Sequence, residues 1–308
     1  MDTPALRFSH TRLLGLFAGA VLAIGVLIIA TGLLPRGVGD FSLSQDLGNA
    51  WFLAEVDGQM GLFAYDFGSF HPVLTEGHHS ISSVARRGED FAVIETLPNG
   101  FYTARIGNEA PLASSNLPKM SVSFSPGKNA LAYVEAMPEA VAASQVGQEG
   151  YIEKWRVVVI DAESKKQIVL GEGFSPFFTD DTHVLWFSPA GVMLTDITMN
   201  TSELLDTTPS TSILPLPGPV VSPDGTHIAW VNKDAAISVY RITDTKLELI
   251  VSYTEGNKSP FIALGNDALY SFVPSKGGTE IYRSAFESGA LPAHVYSLEG
   301  KRVIQLIP

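Results

Sequence analysis

A short apolar tetrad returns six times along the chain, each copy set between polar turns. The copies are Trp51-Phe52-Leu53-Ala54, Phe91-Ala92-Val93-Ile94, Leu131-Ala132-Tyr133-Val134, Val184-Leu185-Trp186-Phe187, Ile228-Ala229-Trp230-Val231 and Leu269-Tyr270-Ser271-Phe272. Their starts lie 40, 40, 53, 44 and 41 residues apart. A period in the low forties, built from β-branched and aromatic residues, marks a repeat architecture of short strands. The tetrads do not alternate apolar with polar, so each is expected to be a strand buried on both faces.

The fifth copy shows the unit most cleanly. Val220-Val221-Ser222 is a short strand, and Pro223-Asp224-Gly225 supplies turn chemistry: proline presets φ and glycine tolerates φ > 0. The tetrad strand follows from His227, then a turn, then an alternating run over 237–242, and a last strand over 247–251. Four strands joined by tight turns make one meander. Third strands are expected at 62–65, 101–104, 156–160, 192–195 and 280–283, several closed by an acidic turn at Asp66, Asp161 or Asp196. Fourth strands are expected at 73–74, 168–170, 204–205 and 294–296. Beyond residue 46 no segment keeps helical spacing for a dozen residues. Such units predict a β-propeller, whose four-stranded blades bury both faces against their neighbours. Ring closure stays open at this level: Arg302-Val303-Ile304-Gln305-Leu306-Ile307 either completes the first blade or forms a hairpin with 295–298.

A different pattern precedes the repeats. Residues 13–34 are without charge and consist of Leu, Ile, Val, Phe, Ala, Gly and Thr. A helix of that length crosses a hydrocarbon core of roughly 30 Å. Arg7, His10 and Arg12 precede it and Arg36 follows, so the positive-inside rule puts the N-terminus in the cytoplasm. The run is longer than the apolar region of a cleaved signal peptide and lacks a good cleavage site, which favours an anchor. Gly15, Gly19 and Ala23 recur at four-residue spacing, a candidate helix-packing face.

Phe124-Ser125-Pro126-Gly127 and Val221-Ser222-Pro223-Asp224-Gly225, each ahead of a tetrad, resemble the SPDG-containing core of TolB-like, WD40-like propeller repeats. The resemblance covers about 47–308, with two units matching well and four degenerate. It implies six blades, a central channel and mostly protein-binding roles. The expected organisation is a cytoplasmic arm at 1–12, a transmembrane helix at 13–34, a linker at 35–46 and an all-β, six-bladed propeller of four-stranded antiparallel blades at 47–308. The blades fall at about 47–78, 79–118, 119–173, 174–217, 218–257 and 258–308.

Charge narrows the partners. The chain carries 20 Lys plus Arg against 32 Asp plus Glu, a net charge of -12, which repels phosphate backbones and disfavours nucleic acid. There is no cysteine, which excludes disulfides, thiolate metal sites and cysteine nucleophiles.

Candidate chemistry is sparse. The chain has no Gly-x-Ser-x-Gly elbow, phosphate loop or dinucleotide fingerprint. His71, His78 and His79 show no ligand spacing; neighbours on an extended chain point in opposite directions. His183 and His227 each precede a core strand beside Asp181 and Asp224, where a turn hydrogen bond accounts for them. Glu172, Asp180, Asp181, Asp224 and Asp267 occupy similar places in successive units; turn formation accounts for each, and a ring at the channel mouth is the alternative. No cofactor and no metal is expected. The long third interval places an insertion at 136–150, and insertions in repeats map to a loop on one face. Met137, Glu139, Gln145, Gln148, Glu149 and Tyr151 are therefore candidate partner contacts.

The expectation is a single-pass protein of the cytoplasmic membrane with a periplasmic propeller. It would act as a non-catalytic binding or scaffolding subunit for membrane-complex or extracytoplasmic proteins. The alternative is a propeller enzyme, or a sensor of a small ligand or glycan, using the channel.

Overall fold

In the computed structural model, the described residues are 50–66, 69–75, 80–138, 155–206, 219–222, 224–231, 236–243, 246–253 and 261–307. All belong to one compact unit spanning 41–308. The apolar run at 13–34, with Gly15, Gly19 and Ala23, lies outside them. Among the described residues no helix is long and apolar enough to cross a membrane.

Six four-stranded antiparallel sheets follow one another along the chain. The first contains β1 (Trp51–Val56), β2 (Gln59–Asp66) and β3 (Ser69–Thr75). The second is β4 (Ser80–Arg87), β5 (Asp90–Thr96), β6 (Tyr102–Ile106) and β7 (Ala113–Ser115). The third is β8 (Lys119–Phe124), β9 (Ala130–Ala136), β10 (Trp155–Asp161) and β11 (Gln167–Glu172). The fourth is β12 (Phe174–Phe178), β13 (His183–Ser188), β14 (Gly191–Asp196) and β15 (Thr201–Asp206). The fifth is β16 (Val220–Val221), β17 (His227–Val231), β18 (Ile237–Ile242) and β19 (Leu247–Tyr253). The sixth is β20 (Phe261–Leu264), β21 (Ala268–Ser275), β22 (Gly278–Ala285) and β23 (Ala293–Glu299).

The last strand, β24 (Arg302–Ile307), pairs with β1 and not with β23, giving the order β24-β1-β2-β3. Of the two places open to it from the sequence, it takes the first blade. The sixth blade thus ends at Glu299, short of 308. Closure by the C-terminal strand removes the free inner edge that an open ring would leave on β1.

Every tetrad is the second strand of its blade, and all its residues are buried. Alternation along each strand sends its side chains to two different seams. On β9, Leu131 and Tyr133 join a cluster with the second blade, whereas Ala132 and Val134 join one with the fourth. On β1, Trp51 and Leu53 pack toward the second blade, and Phe52 and Ala54 toward the sixth. A period-2 strand sandwiched between two blades needs apolar residues at every position. Aromatic rings reinforce the seams: Trp51 lies 5.8 Å from Phe91, and Phe187 lies 5.6 Å edge-on to Trp230.

The Ser-Pro turns have a specific job. Buried Ser125 accepts hydrogen bonds from the backbone N–H of Asn129 (3.0 Å) and Ala130 (3.1 Å). Ser222 accepts from His227 N (2.9 Å) and donates to Asp224 Oδ1 (2.6 Å). The serine thus closes the turn and fixes where the tetrad strand begins.

Candidate functional site

Two places carry polar chemistry: the central channel, and the face from which the long β9–β10 connection springs. In an antiparallel meander the β9–β10 connection shares its face with the crossings between blades. Met137 lies just beyond β9, half-buried, while Glu139, Gln145, Gln148, Glu149 and Tyr151 lie outside the described residues.

The root of that connection is a buried ion cluster. Lys119 opens β8, Glu135 stands next to last on β9, and Arg156 is the second residue of β10. Lys119 Nζ reaches Glu135 Oε2 at 2.7 Å, and Arg156 Nη2 reaches Oε1 at 2.6 Å. Lys119 also donates to the Ser115 hydroxyl of the second blade and to Leu117 O (3.3 Å). The Lys119 side chain is 1% exposed and that of Glu135 8%, so the charges are held out of water. Burial drives the Lys119 ammonium below its ordinary pKa, with Glu135 opposing. Burial also resists ionisation of Glu135, but its bonds to Lys119 and Arg156 outweigh that and hold its carboxyl below the usual range. Tyr133 Oη and Arg156 Nε are buried there without a hydrogen-bond partner among the described residues.

The same position of the second blade holds Glu95, gripped by the guanidinium of Arg105 through Nε (2.9 Å) and Nη2 (3.2 Å). Both acids directly follow a tetrad. Hydropathy alone places such charges outside; their partners lie on other strands, so the pattern of the tetrad gave no signal for them.

The channel is a cavity of about 1030 Å³ lined by β4, β8, β12, β16, β20 and β24, the innermost strand of each blade. Three of these strands are stitched sideways. Ser83 Oγ accepts from Val122 N (3.0 Å), and Ser123 Oγ accepts from Phe178 N (3.1 Å). Arg87, last residue of β4, spans three blades: its Nε donates to Phe124 O (3.1 Å) and its Nη2 to Phe178 O. Register shifts interrupt β4, β8 and β12 near Ser82, Ser121 and Ser175. Ser121 (φ 51°) and Ser175 (φ 50°) adopt left-handed backbone, a conformation costly for a residue with a Cβ.

The acidic residues do not form a ring. Glu172 ends β11 on the opposite face from the turns that hold Asp180, Asp181, Asp224 and Asp267. Asp180 accepts from Thr182 N (2.7 Å) and His183 N (2.8 Å), and its Oδ2 meets His183 Nδ1 at 2.8 Å. His183 therefore partners Asp180, not Asp181. Asp181 instead caps the neighbouring blade, taking Gly127 N at 2.6 Å. Asp224 takes Thr226 N (3.0 Å), whose hydroxyl meets His227 Nδ1 at 2.7 Å. Asp267 pairs with Arg283 at 3.0 Å. Asp161 and Asp196 behave as the acidic turns predicted: Ser164 N (2.7 Å) and Thr198 N (2.8 Å) donate to them. Of the remaining histidines, exposed His71 lies on β3, and His294 contacts Glu280 at 2.7 Å; His78 and His79 are outside the described residues. Among the described residues no three His, Asp or Glu side chains gather as a metal-ligand set.

Fold and channel together define a closed, six-bladed β-propeller. No family model matches the chain, and no curated protein matches it in sequence. Solved structures do. TolB from Acinetobacter baumannii superposes with a TM-score of 0.54 at 14% identity, over 84% of this chain and 67% of that one. An oligogalacturonate lyase in complex with manganese gives a TM-score of 0.54 at 10% identity, over 81% and 74%. The TolB-like resemblance read from the Ser-Pro turns fits at the level of the fold. At these identities the likeness is one of architecture, which hosts both a lyase and TolB.

Proposed function

We propose that the chain is a membrane-anchored, non-catalytic propeller that presents the face bearing the β9–β10 connection to another protein of a membrane complex. The carrying observation is the Lys119–Glu135–Arg156 cluster, which ties the two ends of the long β9–β10 connection to the neighbouring blade through Ser115. A rigid root under a long connection is how scaffolds position binding loops. The apolar run at 13–34 supplies the anchor, with the N-terminus in the cytoplasm and the propeller in the periplasm.

The test is photo-crosslinking from Gln145 and Gln148 in the native membrane, with exposed Glu163 in the β10–β11 turn on the opposite face as control. A stoichiometric partner captured from the first two positions and not from the third supports the reading. Purification of the protein alone, with no crosslink from either glutamine, overturns it. Protease treatment of intact and of opened cells checks the topology: the propeller is cut only once the outer layers are breached.

A further inference from the structure

The channel wall is divided by chemistry. Toward the second, third and fourth blades it presents serines, Arg87 and Arg86 (the latter paired with Glu89 at 3.7 Å), with Met120 and Phe177 among them. Toward the fifth, sixth and first it is mainly apolar, with Val220, Val221, Phe261 and Ile304 beside Ser222 and Gln305. Arg87 is half-buried, with its guanidinium carbon 5.3 Å from the Phe177 ring centroid. Its hydrogen-bond partners, Phe124 O and Phe178 O, are neutral. No carboxylate among the described residues forms an ion pair with it. Asp181 acts on it through space, while one oxygen of that carboxylate is engaged by Gly127 N. A guanidinium carries five N–H donors, so Arg87 keeps N–H donors that these two carbonyls do not use. Farther along the same wall, the Ser121 and Ser175 hydroxyls make no hydrogen bond with other described residues, and both residues hold strained backbone.

We propose that the channel binds a small carboxylate with an apolar body, its carboxylate on the free N–H edge of Arg87 and its body against Val220, Val221, Phe261 and Ile304. One guanidinium balances one negative charge; a phosphate dianion would leave excess charge in an already acidic protein. The cavity volume stands at the upper end for sites of small ligands. This site is separate from the β9–β10 face, so ligand binding and partner capture fail independently.

The experiment uses the full-length chain in lipid nanodiscs, with empty discs as blank. Hexanoate, 4-phenylbutyrate and N-acetylphenylalanine are titrated by calorimetry and ligand-observed NMR, beside their primary amides. At least one carboxylate binds saturably, and its amide binds at least about tenfold more weakly. Arg87→Gln weakens the carboxylate by a similar factor. Because Arg87 also bridges three blades, Ile304→Glu serves as a second variant: Ile304 is 38% exposed, and a carboxylate there repels the ligand without touching the stitches. Failure of all three carboxylates to bind, equal binding of acid and amide, or unchanged affinity in folded Ile304→Glu each overturns the proposal.

Discussion

Glu135 carries two cations in a place where its tetrad neighbours are wholly apolar. Glu135→Gln leaves the Lys119 ammonium buried without a countercharge, which costs about 3–5 kcal/mol in urea unfolding. The exposed Lys246–Glu248 pair is nearly as short, at 2.9 Å, yet its side chains are 62% and 42% exposed. Water screens that attraction, so Lys246→Ala leaves the unfolding midpoint unchanged. Similar distances thus predict opposite outcomes, and burial decides between them. Whether Glu135 would be core or surface was not readable from its own segment: Lys119 and Arg156 reach it from other strands. The Asp180 and Asp224 turns were readable, because their partners lie within three residues.

At the scale of the strand, two adjacent glycines separate conformational need from habit. Gly278 opens β22 with φ +149°, and a Cβ there would stand 2.0 Å from Leu298 O on β23. Gly277 has open space around it. Gly278→Ala therefore pushes β23 off its neighbour and destabilises by at least about 1–3 kcal/mol, whereas Gly277→Ala is neutral within about 0.5 kcal/mol. Paired thermal melts of the two variants check this; equal melting temperatures would remove the close approach as the reason for the glycine. The tetrad strands were legible because burial on both faces leaves a continuous apolar signature. The inner strands were less so: they are short, interrupted by bulges and mixed in composition, as β8 and β12 show.

For the whole molecule, closure is the decisive event. β24 brings Val303, Leu306 and Ile307 into buried positions and covers β1. Each such side chain contributes on the order of 1.5–3 kcal/mol, so their combined loss is comparable to the stability of an ordinary domain. A chain ending at Gly300 is expected to lose its cooperative near-UV melt; an intact melt would mean the ring holds with a three-stranded first blade. Acid is the second lever. Glu135, Asp180 and Asp224 have folded-state pKa values below their ordinary ones, held down by hydrogen bonds that outweigh burial. Such groups stabilise the fold above the ordinary carboxylate range, and that contribution is lost as pH falls through their depressed values. The melting temperature should decline steadily below about pH 4.5, starting near the ordinary carboxylate values. A flat profile from pH 5 to 2 would contradict this.

Blade number, the meander order of β1 to β23 and the turns were determined by the sequence itself, since each depends on residues close together in the chain and on a period the apolar pattern repeats. The destination of β24 was decided only in the tertiary structure, because a strand of six residues with apolar positions on both faces can pair with β23 or β1 by its own pattern. The same holds for the channel. Arg87 on β4, Ser121 on β8, Ser175 on β12 and Val221 on β16 are far apart in sequence, and no local pattern announces a cavity whose wall takes a few residues from every blade.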